Sequence, residues 1–207
     1  MNEDRIRIKL CGLTRSCDVE TANHLCPDYV GFVFAEKSRR YVSPEQAAEL
    51  KNHLCPDILA VGVFVNEKIG QIAALLEAGV IDLVQLHGSE DEAYIGRLRE
   101  RTDKPVIRAF RVDGEEDIQR AQASTADFVL LDSGSGGTGK AFDRELLARM
   151  NRPYFLAGGL DAATVGGAVR RWRPYAVDVS SGIETDGKKD PEKMRVFVER
   201  VRCAGSK

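Results

Sequence analysis

Two short apolar runs near the C-terminal end each stop at a turn of small residues. These are Tyr154-Phe-Leu-Ala-Gly-Gly-Leu160 and Tyr175-Ala-Val-Asp-Val-Ser-Ser-Gly182. Such turns leave backbone N–H groups uncovered, and two of them side by side, with serine hydroxyls added, can surround a phosphate. Gly158, Gly159, Ser180, Ser181 and Gly182 are the candidate phosphate-binding residues. Acid–base chemistry has two candidates. Cys11 ends the run Lys9-Leu-Cys and is followed by a glycine that lets the chain turn. A thiol titrates near ~8.5 and is lowered by a neighbouring cation, so Lys9, two residues earlier, favours a thiolate able to act as base or nucleophile. Asp132 ends the apolar run Phe128-Val-Leu-Leu-Asp132. Burial at a rim would raise its pKa and suit it to general-acid work, although a cap or turn role is equally open.

Arg39 and Arg40, in Lys37-Ser-Arg-Arg-Tyr41, follow another apolar run, and at least one of them can clamp an anionic group. Gln85 and His87, in Gln85-Leu-His-Gly88, are candidate substrate-binding residues, with packing, hydrogen bonding and catalysis all open for His87. The loop Gly134-Ser-Gly-Gly-Thr-Gly-Lys140 nearly spells a nucleotide-hydrolase phosphate loop, but Ala141 stands where a magnesium-binding Ser or Thr belongs. It reads as a lid beside the site.

Eight short β-rich runs must position these groups: 6–10, 29–34, 59–65, 83–86, 106–110, 128–131, 154–156 and 176–179. Helical stretches separate most of them. One begins Ser43-Pro44, with Ser43 as N-cap and Pro44 at the first helical position. Others are Asn66 to Glu77 and Asp161 to Val169, while the segment from Gly114 to Gln122 is poorly marked. A repeat of roughly 20 to 30 residues is one βα unit, and eight of them predict an α/β fold, a (β/α)₈ barrel in a single domain over residues 1–207. An open doubly wound sheet is the alternative. Ile6, Ile8 and Leu10 should face the helices, which turns Lys9 and Cys11 inward. The same parity turns Gln85, His87, Arg108, Asp132, Asp178 and Ser180 toward the axis, and Asp178 is expected to pair with Lys9 within ~4 Å. In such a barrel, chemistry sits at the C-terminal ends of the strands and phosphate in the loops after the seventh and eighth.

With 43% hydrophobic and 30% charged residues and a net charge of -2, the composition is that of a soluble globular chain with no polyanionic partner. No apolar run is long enough to cross a membrane, and the charged N-terminus lacks a signal-peptide core, so a cytoplasmic protein without nucleic-acid or membrane partners is expected. Five irregularly spaced cysteines and three scattered histidines suggest neither a disulfide framework nor a metal site. No exposed apolar stripe demands a partner, which favours a monomer over a dimer.

Together, Lys9-Leu-Cys-Gly-Leu-Thr14, Gly31-Phe-Val-Phe34 with Ser38-Arg-Arg-Tyr-Val-Ser-Pro44, Gly62-Val-Phe-Val-Asn66, Val84-Gln-Leu-His-Gly88, Leu130-Leu-Asp-Ser133, Ala157-Gly-Gly-Leu160 and Val177-Asp-Val-Ser-Ser-Gly-Ile-Glu184 resemble the phosphoribosylanthranilate isomerase family. The resemblance runs from about Arg5 to Val201. It implies a cofactor-free (β/α)₈ barrel that converts N-(5-phosphoribosyl)anthranilate, a phosphosugar, to the 1-deoxyribulose 5-phosphate by an Amadori rearrangement in tryptophan biosynthesis. Carried over by position, it implies Cys11 as general base, Asp132 as general acid and Arg40 at the anthranilate end. The alternatives are another phosphosugar barrel of the indole-glycerol-phosphate synthase type, whose lysine and glutamate set is not evident, a nucleotide-binding module using Gly134 to Lys140, and a catalytically dead scaffold.

Overall fold

The computed structural model describes residues 5–132 and 144–205. Eight parallel strands close into a barrel in sequence order: β1 (Arg7–Cys11), β2 (Tyr29–Val33), β3 (Leu59–Phe64), β4 (Leu83–Leu86), β5 (Val106–Arg111), β6 (Phe128–Asp132), β7 (Tyr154–Ala157) and β8 (Ala176–Val179). Register closes the ring, with Lys9 of β1 opposite Asp178 of β8 and Cys11 opposite Gly31 of β2. The predicted strands are all present, with ends moved by at most one residue.

Around the barrel lie α1 (Ser16–Leu25), α2 (Pro44–Asn52), α3 (Ile69–Glu77), α4 (Glu92–Arg99), α5 (Glu115–Ala123), α6 (Val165–Trp172) and α7 (Pro191–Gly205). α2 starts as its sequence predicts, with Pro44 in the first turn and the Ser43 hydroxyl accepting the Gln46 N–H at 3.2 Å. The poorly marked fifth segment does form a helix, because Asp117 accepts the N–H groups of Asp113 and Gly114 at its start. Between β6 and β7 the described residues hold a 3₁₀ turn, Arg144–Arg149. The Gly134 to Lys140 loop lies outside the described residues. After β8 come a second 3₁₀ turn, Ser181–Ile183, and a small antiparallel hairpin, β9 (Glu184–Thr185) with β10 (Lys188–Lys189), which the sequence reading did not anticipate.

Alternation along the strands builds two cores. Ile8, Leu10, Val30, Val84 and Val177 pack outward against the helices, while Val61, Ile107, Leu130 and Phe155 fill the barrel. At the N-terminal end Tyr29, Phe128, Phe155 and Tyr175 close the floor, with the Phe128 and Tyr175 ring centroids 4.8 Å apart. Register is pinned there by a repeated device. Asp28, Asp82 and Asp127 each precede an even-numbered strand and accept the N–H of Ile8, Ala60 and Val106 on the strand before it, at 2.9, 2.7 and 2.7 Å. The parity reading fails at Arg108. Ile107 and Ala109 are the inward residues of β5, so Arg108 lies on the outer side with Val106 and Phe110, its guanidinium 5.2 Å from the Phe110 ring. No helix among the described residues is long and apolar enough to cross a membrane.

Candidate active site

The strands' C-terminal ends surround a cavity of about 500 Å³ lined by Cys11, Asp132, Gln85, His87, Arg40 and the two small-residue turns at Gly158–Gly159 and Ser180–Ser181. A hollow of similar volume, about 500 Å³, lies outside the barrel against Phe34, Phe64, Leu75 and Val80, but none of the candidate acid, base or phosphate-binding residues reaches it.

Cys11 ends β1 on the inner face and is buried. Gly31 stands beside it on β2, where a Cβ would lie 2.6 Å from its sulfur, so the thiol fills the space of a missing side chain. Beneath it Lys9 is fully buried, and its Nζ donates to Asp178 Oδ1 at 2.8 Å. The pairing expected from strand order is therefore present, because the register sets the two residues opposite one another. Burial pulls the Lys9 ammonium down, but Asp178 and Cys11 together outweigh it and hold it above its ordinary value. For Cys11 the balance falls the other way. Burial pushes the thiol up, and Lys9 and Lys189 only partly offset that. Lys9 acts on the thiol in the expected direction, favouring the thiolate, but desolvation of the sulfur is the larger effect.

Asp132 ends β6 with its carboxylate Oδ2 3.7 Å from His87 Nε2. The Gln85 amide lies 2.8 Å from His87 Nδ1, and with Gln85 donating there the ring proton sits on Nε2, toward Asp132. Gln85 Oε1 is buried and without a partner among the described residues.

At the phosphate end, Gly182 is required by close approach. A Cβ there would lie 2.0 Å from the Leu160 carbonyl oxygen, so only glycine lets the turn after β8 pack on the turn after β7. Gly158 and Gly159 have φ of 86° and 62°, and nothing lies within 4 Å of the place a Gly159 Cβ would take. The Ser180 hydroxyl is already engaged, donating to the Cys11 carbonyl at 3.0 Å. Ser181 is exposed at the mouth.

Arg40 crosses above Cys11 over Gly12, whose φ is 81° and whose Cβ would meet Arg40 Cδ at 2.4 Å. It does not wait unpaired at the rim. Its Nε and Nη2 donate to Glu184 Oε1 and Oε2 at 2.6 and 2.9 Å, and Arg39 donates to Oε2 at 2.8 Å. Lys189 donates to Glu184 Oε1 at 2.7 Å and to the Ser180 carbonyl at 2.9 Å. Burial raises the Glu184 carboxyl, but the hydrogen bonds from Arg40 and Lys189 outweigh it and hold the group down at about 2. Among the described residues no group of three His, Cys, Asp or Glu is arranged to hold a metal ion.

Residues 8–200 match the family model described as N-(5'phosphoribosyl)anthranilate (PRA) isomerase. The chain belongs to the phosphoribosylanthranilate isomerase family. The N-(5'-phosphoribosyl)anthranilate isomerase of Endomicrobium trichonymphae is 48% identical, over 95% of this chain and 98% of the relative. The phosphoribosyl anthranilate isomerase structure from Thermotoga maritima, a protein also described as dimeric, is 38% identical with a TM-score of 0.85, over 96% of this chain and 99% of that one. A further isomerase structure, in complex with reduced 1-(o-carboxyphenylamino)-1-deoxyribulose 5-phosphate, is 36% identical with a TM-score of 0.83 over the same shares of 96% and 99%.

Within this isomerase-family site, Cys11, Asp132, Arg40, Gln85, His87, Gly158, Gly159, Ser180 and Ser181 line one cavity, with Asp178 in its wall. Gly182 shapes it from behind, and Lys9 lies beneath. Glu184 and Lys189 were missed as site residues. Their signal was present: Asp186-Gly187 between two short polar strands is a two-residue hairpin turn, and it faces the carboxylate and ammonium of Glu184 and Lys189 across the ladder.

Proposed function

We propose that the chain converts N-(5'-phosphoribosyl)anthranilate to 1-(2-carboxyphenylamino)-1-deoxyribulose 5-phosphate, with Cys11 as general base and Asp132 as general acid. The observation that carries this reading is the shared cavity. It has a thiol on β1, a carboxyl on β6 three strands away, Arg40 from the segment after β2, and the glycine-rich turns after β7 and β8. Asp132 gives its proton to the ribose ring oxygen as the anilino nitrogen expels it, and the C1–O bond breaks to leave an iminium ion. The positive charge acidifies the C2 proton, which Cys11 removes to give the enolamine. Protonation at C1 and loss of the O2 proton then give the ketone and return both groups to their starting states. The Cys11 thiol gives up its own proton to solvent before this step, and the iminium beside it favours the thiolate because opposite charge does so; Cys11 then returns the proton it took from C2 to C1, and the O2 proton passes to Asp132.

Gly158, Gly159, Ser181 and Gly182 hold the phosphate in this reading, with Ser180 contributing backbone, and Arg40 takes the ring carboxylate. Binding both ends places the reacting carbon between acid and base. Gln85 and His87 face the sugar, and Lys9 with Asp178 supports the thiol. Every step is a proton transfer or a bond cleavage driven by one, so acid and base suffice without a cofactor. The protein is proposed to act as a single-domain cytoplasmic monomer. Among the described residues the large exposed apolar side chains, Tyr41, Leu59 and Val65, lie in a loop, at the start of β3 and just after its end, and form no continuous stripe.

The test is loss of anthranilate-type fluorescence when the protein meets freshly generated phosphoribosylanthranilate, alongside Cys11→Ser and Asp132→Asn. Rapid turnover by wild type that collapses in both folded variants supports the assignment. Full activity in either variant removes that residue from its role, and an inactive folded wild type rejects the activity.

A further inference from the structure

The proposed chemistry leaves one buried carboxylate, Glu184, without a role. Glu184 has a side chain only 4% exposed, yet it binds three cations, Arg39, Arg40 and Lys189. Each contact has a distinct geometry. Arg40 meets both carboxylate oxygens through Nε and Nη2, a bidentate fork that fixes the plane of the guanidinium. That fork occupies one edge, and Nη1 has no partner among the described residues, while Arg40 itself lines the cavity. Lys189 reaches back from the hairpin to Ser180, whose hydroxyl in turn holds the Cys11 carbonyl. Lys193 ties the Glu184 carbonyl to α7 at 2.7 Å, so the frame does not swing freely.

We propose that Glu184 is a positioning residue that sets substrate specificity: it holds Arg40 with its unused edge toward the cavity to take the ring carboxylate, and ties that arginine through Lys189 to the phosphate turn. This deepens the isomerase reading and rests on it. A lone arginine would have to lose its freedom on meeting each ligand. One already locked by a buried carboxylate does not, and its preference for a second planar anion is correspondingly sharper. Three cations on one carboxylate also leave two positive charges in surplus, which suits a ligand with an anionic group at each end. Glu184 acts through Arg40, and Lys189 has its own bond to the Ser180 carbonyl, so removing Glu184 should weaken recognition of the carboxylate and leave the rest of the ligand untouched.

The experiment measures calorimetric dissociation constants of two stable ligands, reduced 1-(o-carboxyphenylamino)-1-deoxyribulose 5-phosphate and its counterpart lacking the ring carboxyl. It compares wild type, Glu184→Gln, Glu184→Asp, Arg40→Ala and the Arg40→Ala/Glu184→Gln double variant. Wild type should prefer the carboxylated ligand by about 10- to 100-fold, the range of one hydrogen-bonded charge pair. In Glu184→Gln that preference should fall about tenfold while affinity for the other ligand stays within about twofold, and Glu184→Asp should restore part of it. Because the two act as a unit, adding Glu184→Gln to Arg40→Ala should change the preference no further. A general packing defect weakens both ligands alike, so equal loss for both, or no loss for either, overturns the proposal. A wild type that binds neither ligand but is folded overturns the isomerase reading itself, which the variants cannot mimic.

Discussion

Replacing Lys9 with methionine tests whether the buried pair under the thiol is an essential structural charge or an exchangeable one. The substitution keeps the aliphatic stem and removes the ammonium, leaving the Asp178 carboxylate, whose side chain is 9% exposed, without its partner at 2.8 Å. Breaking a buried pair from one side costs about 3–5 kcal/mol, and in a chain of this size each kcal/mol lowers Tm by about 2–4 °C, so Lys9→Met should melt about 6–20 °C below wild type. The second change, Asp178→Leu on the Lys9→Met background, removes the orphaned charge and should recover most of that loss. Activity should not recover with it, since the thiol has lost its nearest cation. The sign with pH is fixed too. Lys9 is held above its ordinary 10.5 in the fold, so its stabilisation is complete below that value and is lost only as pH rises through the folded pKa. Thermal melts and urea titrations at neutral pH, with turnover measured on the same samples, make the comparison. A Lys9→Met protein as stable as wild type, or a double variant no more stable than the single one, would refute the account of the pair.

Other outcomes follow from the same geometry. Burial holds the Cys11 thiol above its ordinary 9.0, so kcat/KM should climb with pH across neutrality as the thiolate fraction grows, and Cys11→Ser should abolish that limb; a profile flat from neutral upward argues against the thiol as base. The same thiol contributes stability that is complete below 9.0 and declines as pH rises toward its folded pKa, readable as a drop in Tm that Cys11→Ser lacks. Glu184 has the opposite sign. Its carboxyl is held at about 2 against an ordinary 4.5, so its stabilisation is present above 4.5 and lost as pH falls toward 2, and Glu184→Gln should flatten acid unfolding over that window. Gly182→Ala puts a methyl 2.0 Å from the Leu160 carbonyl oxygen, forcing the two turns apart; about 1–3 kcal/mol of stability and about tenfold in KM should be lost, with inorganic phosphate binding weakened in parallel.

The barrel was legible because its signal is carried by apolar runs whose inner and outer faces alternate. β4 and β8 end where the sequence reading ends them, and the Lys9–Asp178 pair follows from β8 lying against β1. The inward set failed at Arg108, which parity grouped with Gln85, His87 and Asp132; the inward residues of β5 are the apolar Ile107 and Ala109, and from the outer face the Arg108 guanidinium runs over Phe110 and acts on Glu92 of α4. The hairpin carrying Glu184 and Lys189 was invisible to a search for apolar runs, since both its strands are polar. Arg40 was placed at the mouth correctly, but its partner lies 144 residues away in the chain, a distance no local pattern spans.

The electrostatics around Cys11 explain why the site is built from ion pairs rather than free charges. Lys9 with Asp178 lies below the thiol, and Lys189 with Glu184 lies at the rim, both pairs close enough for their cations to act on the sulfur. An unpaired ammonium in either place would be driven to lose its proton by burial, as the lowered Lys189 shows even with its carboxylate present. Pairing keeps each nitrogen charged. Each cation is shared with a carboxylate, and burial outweighs their combined effect at the thiol. In the proposed reaction Cys11 is then a base that ionises more readily once a cation forms beside it, and the iminium that follows proton donation by Asp132 is that cation. Under that proposal, proton donation at one end of the sugar readies the base at the other, and the two groups need no contact to act in order.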